Sequence, residues 1–226
     1  MAIHQLITSV LARARGDHAI AVAARYSGEI LRDHRTGILY DGSPEADVVY
    51  REIMGSVTEA EPAWWRDRET LWNVAEQQEM RSNSRVARDW LLGLPHELEA
   101  AARIDLARAW GIFIATRYGV AVDLSVHRPP GAGDPRNHYA RLLSTTRQVT
   151  SAGLGAKVGL ELSNGPQSGP RELRLLHEHW NGLLHAAISH APIDQARSLD
   201  PGHRVPVQGA RRVAPASCQP SDKAER

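Results

Sequence analysis

Ser125-Val126-His127-Arg128, a proline- and glycine-rich gap, then Asn137-His138-Tyr139-Ala140-Arg141-Leu142-Leu143-Ser144-Thr145-Thr146-Arg147 is the stretch on which the fold turns. Just upstream, Val120, Val122, Leu124 and Val126 alternate with Ala121, Asp123, Ser125 and His127. A period of two marks a half-buried strand with His127 on its more polar face. Pro129-Pro130-Gly131-Ala132-Gly133-Asp134-Pro135 can only be a loop, because proline donates nothing to a ladder and glycine favours turns. Beyond it, Tyr139, Arg141 and Leu143 share one face of a second strand, and Ala140, Leu142 and Ser144 share the other. If the two strands pair antiparallel, His127 faces Tyr139 and Arg141 across the ladder.

The rest of the chain supplies a core for this hairpin. It has 226 residues, is 42% hydrophobic and carries a formal net charge of +1. That suffices for one globular domain, expected over 1–191, followed by a disordered Pro/Arg-rich tail over 192–226. Near-neutral charge argues against binding of nucleic acid by bulk electrostatics. Only Lys157 and Lys223 are lysines, so the basic side chains are nearly all arginine. Arginine suits bidentate phosphate contacts, and GC-rich coding is the plainer explanation. Cys218 is the single cysteine, which excludes a disulfide framework and a cysteine zinc site and fits a reducing cytoplasm. No apolar run is long enough to span a bilayer, and no signal peptide is legible.

Working outward, residues 2–10 read as a strand and 17–33 as a helix with Asp17 as its N-cap. Residues 48–53 read as a short strand, and Pro62 opens a helix running to about Met80. The helix has Trp64, Trp65 and Trp72 available for packing; base stacking is the sharper alternative for them. Residues 97–117 read as an amphipathic helix with Leu98, Ile104, Leu106, Ile112 and Phe113 on its buried face, stopped by Gly119. Residues 170–190 read as a last helix. His177, His179, His185 and His190 lie on it at spacings that suit a solvated face better than a metal site.

Three motifs, in order, carry a resemblance. The first is Ala21-Val22-Ala23-Ala24-Arg25-Tyr26-Ser27-Gly28-Glu29; the second is Arg85-Val86-Ala87-Arg88 with Leu94-Pro95-His96-Glu97-Leu98; the third is His127, Arg136-Asn137-His138 and Thr145-Thr146-Arg147. Together they resemble the MobA/MobL-type relaxases, plasmid-mobilisation enzymes that nick one DNA strand at an origin of transfer. The resemblance covers about residues 1–190. It implies an α+β fold of two layers: an antiparallel sheet of about five strands with helices packed on one face and DNA crossing the other.

What the resemblance implies for the site is uneven. The family's pattern is a tyrosine followed by arginine; here the pair is transposed, with Arg25 at the tyrosine's place and Tyr26 one residue later. Tyr26 is therefore the candidate nucleophile, and packing on an apolar stripe with Val22 and Ile30 is the plainer alternative. The family holds a divalent metal, Mg or Mn, with three histidines. His127 matches one of them, while Tyr139 and Arg141 stand at the other two places, so metal is expected to be weakly held or absent. The first strand carries Gln5 where the family has a histidine, and Leu91 stands where many members have an acidic residue. Arg25, Arg136, Arg141 and Arg147 are the expected nucleic-acid contacts. Single-stranded plasmid DNA and other mobilisation proteins are the expected partners, with no membrane. Two functions stay open: strand nicking by tyrosine attack on a phosphodiester, and an inactive remnant that binds single-stranded DNA or a partner protein.

Overall fold

A computed structural model describes residues 5–43, 47–55, 63–129, 131, 133–158 and 168–190. The chain divides into Met1–Pro192 and Ile193–Arg226, and the second unit, with the tail expected there, lies outside the described residues. So do residues 2–4 of the expected first strand, and Pro62.

The elements in chain order are β1 (Leu6–Ala12), α1 (Ala19–Ser27), β2 (Ile30–Arg32), β3 (Leu39–Asp41), β4 (Val48–Met54), α2 (Arg68–Gln78), β5 (Arg85–Leu94), α3 (Ala100–Tyr118), β6 (Val120–His127), β7 (His138–Thr150), β8 (Gly153–Lys157) and α4 (Ser168–Ser189). β1, β5, β7, β6 and β4 form an antiparallel sheet in that order, β8 adds to the far end of β7, and β2 and β3 form a separate hairpin. This is the α+β class with an antiparallel sheet expected from the sequence. The register of the central hairpin is also as expected: His127 lies opposite Tyr139, and Ser125 opposite Arg141.

The layering is fuller than two. One face of the sheet (Trp90, Leu92, Val120, Val122, Leu124, Leu142) packs on α3 and α4 through Trp110, Ile114, Leu176 and Trp180. Trp110 meets Trp90 edge-on at 6.0 Å and Trp180 at 5.8 Å, the preferred aromatic geometry. The opposite face packs α1 and α2 at one end, where Leu11, Ala87, Ala121 and Leu143 meet Ile20, Ala23, Leu71 and Trp72. β6 is therefore buried along its whole length, not half-buried: α3 and α4 cover one face, α1 and α2 cover Ala121 and Asp123 on the other, and His127 lies against the Tyr139 ring. Trp65 and Trp72 are core anchors, which leaves no exposed ring of theirs for base stacking.

Helix bounds shift for local reasons. α1 stops at Ser27 because Gly28 takes φ 67, the left-handed conformation that ends helices, and its N–H returns to the Ala24 carbonyl. Ile30 then starts a strand and is exposed, so it cannot continue a helical stripe with Tyr26. Asp17 does not cap α1; its carboxylate takes the Ala12 N–H at 2.8 Å. Glu76, from α2, accepts the Ala19 N–H at 2.7 Å instead. α3 ends as expected at Gly119, with φ 69. Its buried stripe is Leu106, Trp110 and Ile114, an i, i+4, i+8 series, and Ile112 is exposed. His185 on α4 and His190 just beyond it are exposed, whereas His179 stacks on Phe113 at 3.6 Å.

Candidate active site and nucleic-acid cleft

Among the described residues α1 and α2 cover only one end of their face, and the other end lies open. Its floor follows from strand alternation. Ile7 and Ser9 on β1, with Gln5 just before it, Asp89, Leu91 and Gly93 on β5, Tyr139 and Arg141 on β7, and Ser125 and His127 on β6 all fall on one face. Gln5, Ile7, Leu91, Gly93, Tyr139 and Arg141 line a cleft of about 390 Å³, with Arg136 at its rim. The floor is part apolar and part guanidinium, a mixture that suits the bases and phosphates of a single strand.

α1 brings Tyr26 to the boundary between the covered and open halves. Its hydroxyl donates to Asp89 Oδ2 at 3.3 Å, and Arg141 Nη1 donates to the same oxygen at 3.2 Å. Ser9 Oγ approaches it at 3.4 Å. The guanidinium of Arg141 lies 5.0 Å from the Tyr26 ring centroid and that of Arg25 lies 5.3 Å from it. Cations over a ring face are attracted by its quadrupole. The second carboxylate oxygen of Asp89, Oδ1, is buried with no hydrogen-bond partner. Burial raises the Asp89 carboxyl above its ordinary range against the pull of Arg141. Burial and the Asp89 charge both raise the Tyr26 phenol.

α1 is held firmly. Arg51 donates to the Ser27 carbonyl at 2.9 Å and to Glu29 at 3.0 Å. Glu29 also takes Arg68 Nη1 at 2.6 Å. Arg68 in turn forks onto the buried carboxylate of Asp123 in β6, which accepts the Trp72 indole N–H as well. A β-carbon added to Gly42 would stand 1.9 Å from the Ala24 carbonyl oxygen, so the chain after β3 rests directly on the helix two residues before Tyr26.

His127 is 4% exposed, and neither of its ring nitrogens has a hydrogen-bond partner. Its ring lies flat on Tyr139, 4.8 Å between centroids and 2° between planes. Burial, with Arg141 adding to it, pulls the imidazole down to about 4, so it is neutral near pH 7. His138 pairs with Leu94 and by strand alternation falls on the other face from Tyr139, although it and His127 border one cavity at this end of the hairpin. Among the described residues no three histidine, cysteine or acidic side chains gather as a metal would require. The residues present do not fit a divalent cation: a lone imidazole, a phenol stacked on it and a fixed positive charge repel rather than cage one.

Of the expected site residues, Tyr26, Arg25 and Arg141 come together, with His127 two strands from Asp89. Arg136 is at the cleft rim, ion-paired with Asp134 at 2.7 Å. Arg147 is elsewhere: it donates to Glu79 at 2.9 Å and to the Gly155 carbonyl at 3.1 Å, and lies six residues beyond Arg141, on the order of 20 Å along β7. Asp89 was not among the expected site residues. The expected acidic position was Leu91, and Asp89 stands one strand period earlier, on the same face. Strand periodicity in the Arg85–Leu94 segment was the signal that could have found it.

A model of the MobA/MobL family matches residues 17–193 of this chain. Among curated relatives, mobilization protein MobL of Acidithiobacillus ferridurans is 33% identical over 131 residues, 57% of this chain and 33% of that protein. A probable conjugal transfer protein TraA of Sinorhizobium fredii is 28% identical over 195 residues, 81% of this chain and 17% of that protein. The match thus spans about a third of the first relative and about a sixth of the second. A solved structure described as the molecular basis of vancomycin resistance transfer in Staphylococcus aureus shares the fold, with a TM-score of 0.70 and 24% identity, covering 83% of this chain and 93% of its own. With its family model spanning nearly all of the sheet and helices described above, the chain belongs to the MobA/MobL family.

Proposed function

We propose that this relaxase-like domain lays single-stranded plasmid DNA across the open half of the sheet and cleaves it without a divalent metal. Tyr26 is the nucleophile, Asp89 its base, and Arg141 with Arg25 the charge that receives the phosphate. The observation that carries this reading is the shared Asp89 oxygen, which holds the Tyr26 hydroxyl at 3.3 Å and Arg141 at 3.2 Å. Such a contact is long for a charge-assisted hydrogen bond, and catalytic contacts commonly tighten when substrate enters.

In the step itself, Tyr26 Oη forms a bond to phosphorus and the bond from phosphorus to the departing sugar oxygen breaks. The phenol proton passes to Asp89, whose raised affinity for protons suits a base. Water protonates the departing oxygen, and Asp89 later returns its proton to solvent. Arg141 and Arg25 stabilise the charge gathering on the phosphate oxygens, the part a metal plays elsewhere. Plasmid DNA as substrate implies the cytoplasm as the place of action and other mobilisation proteins as partners.

A second reading is favoured by the same phenol: burial and Asp89 keep Tyr26 protonated, which suits a domain that binds the strand and does not cut it. The test is a labelled single strand from the plasmid's own origin, incubated with protein and a chelator. A covalent adduct mapped to Tyr26, and absent from Tyr26→Phe, supports cleavage. Binding without adduct supports the second reading, and neither binding nor adduct removes both.

A further inference from the structure

We infer that a second phosphate-binding site, built around Arg88, occupies the other end of the sheet. Arg88 is the neighbour of Asp89 in β5, so its side chain leaves the sheet on the opposite face, away from Tyr26. It is 5% exposed, and its Nε is buried with no hydrogen-bond partner. Among the described residues no carboxylate pairs with it; its nearest ring contact is Trp90, 5.8 Å from guanidinium to centroid. A buried charge without a counter-ion is costly, and such groups are normally paired. Burial, with Arg85 beside it, lowers the guanidinium only to about 10, so the charge persists at neutral pH.

The side chain lines a cavity of about 870 Å³ that also takes in Arg81, Arg85, Arg147, Lys157 and Glu79. Among the described residues the one carboxylate there, Glu79, is already engaged by Arg147 at 2.9 Å and Lys157 at 2.8 Å. Arg81, Arg85 and Arg88 are left in excess, with Asn83 and Ser84 at hand as neutral donors. A planar guanidinium fork set among several donors matches the tetrahedral oxygens of a phosphate group. That group can come from free phosphate, from a nucleotide or from a DNA backbone, since the chemistry is common to all three. The site stands apart from the cleavage reading and survives if Tyr26 proves inert.

The test uses the full chain and three probes: inorganic phosphate, thymidine 5′-monophosphate and dodecathymidylate, each against chloride at matched ionic strength. Inorganic phosphate at millimolar concentration is expected to raise the melting temperature by about 3 °C and to shift the Arg88 Nε–H resonance. Arg88→Leu, which removes a buried charge that no carboxylate pairs with among the described residues, is expected to stay folded and to lose most of the response. A matching Arg88 shift with dodecathymidylate identifies a strand as the source; a shift with the small probes only identifies a free phosphate or nucleotide. An equal melting response in Arg88→Leu, or no shift of the Arg88 resonance with any probe, overturns the proposal. If Arg88→Leu does not fold, the wild-type resonance decides alone.

Discussion

Tyr26 and Asp89 meet across the edge of α1, hydroxyl to carboxylate at 3.3 Å, although 63 residues separate them in the chain. Asp89→Asn keeps the shape and the contact but removes the base. Strand cleavage is expected to fall about 100- to 1,000-fold, while affinity for the same strand stays within about threefold. Single-turnover cleavage alongside equilibrium binding measures both. An unchanged rate would relieve Asp89 of the role.

Metal affinity tests the geometry around His127. Tyr139→His and Arg141→His together restore nitrogen donors on the same strand face as His127, and remove a fixed charge. Calorimetric titration with Mn is expected to show at least about tenfold tighter binding in the double variant than in either single one, which corresponds to roughly 1.4 kcal/mol. Tight binding by the unaltered protein would show that the stacked His127–Tyr139 arrangement opens to a cation.

The buried imidazole of His127 also sets a pH window. Its folded-state value, about 4, lies below the ordinary value of 6.5. The unfolded chain therefore takes up this proton first as the pH falls, and stability declines from about pH 6.5 down to about pH 4. Below that window the loss attributable to this one group is about 3 kcal/mol at most. His127→Phe is expected to flatten that part of the stability–pH curve in urea titrations. An acid limb of equal slope in the variant would assign the loss to other groups.

Asp123 anchors α2 to the middle of the sheet. It is 5% exposed and takes Arg68 and the Trp72 indole on its two oxygens. Asp123→Ala leaves a buried guanidinium without its main partner and is expected to cost about 3–5 kcal/mol. Because Arg68 also binds Glu29, next to the C-terminal end of α1, Tyr26 should lose its position as well. Denaturant unfolding measures the first effect, and the amide resonances of residues 24–28 report the second.

The family and the central hairpin could be read from residues alone. Strand alternation is local, so the pattern from Val120 to Arg147 already assigned His127, Tyr139 and Arg141 to one face, and the registry followed from pairing. The transposed Arg25–Tyr26 pair and the missing histidines were equally plain. The partner of Tyr26 was not, since the carboxylate was looked for at Leu91 and stands at Asp89. What covers a face is decided by segments far away in the chain. Among the described residues, burial of β6 on both sides, the uncovered half of the sheet and the lack of a carboxylate beside Arg88 all depend on where α1, α2, α3 and α4 come to rest. Periodicity tells which side chains point together; only packing between distant elements decides whether they meet water, a helix or each other.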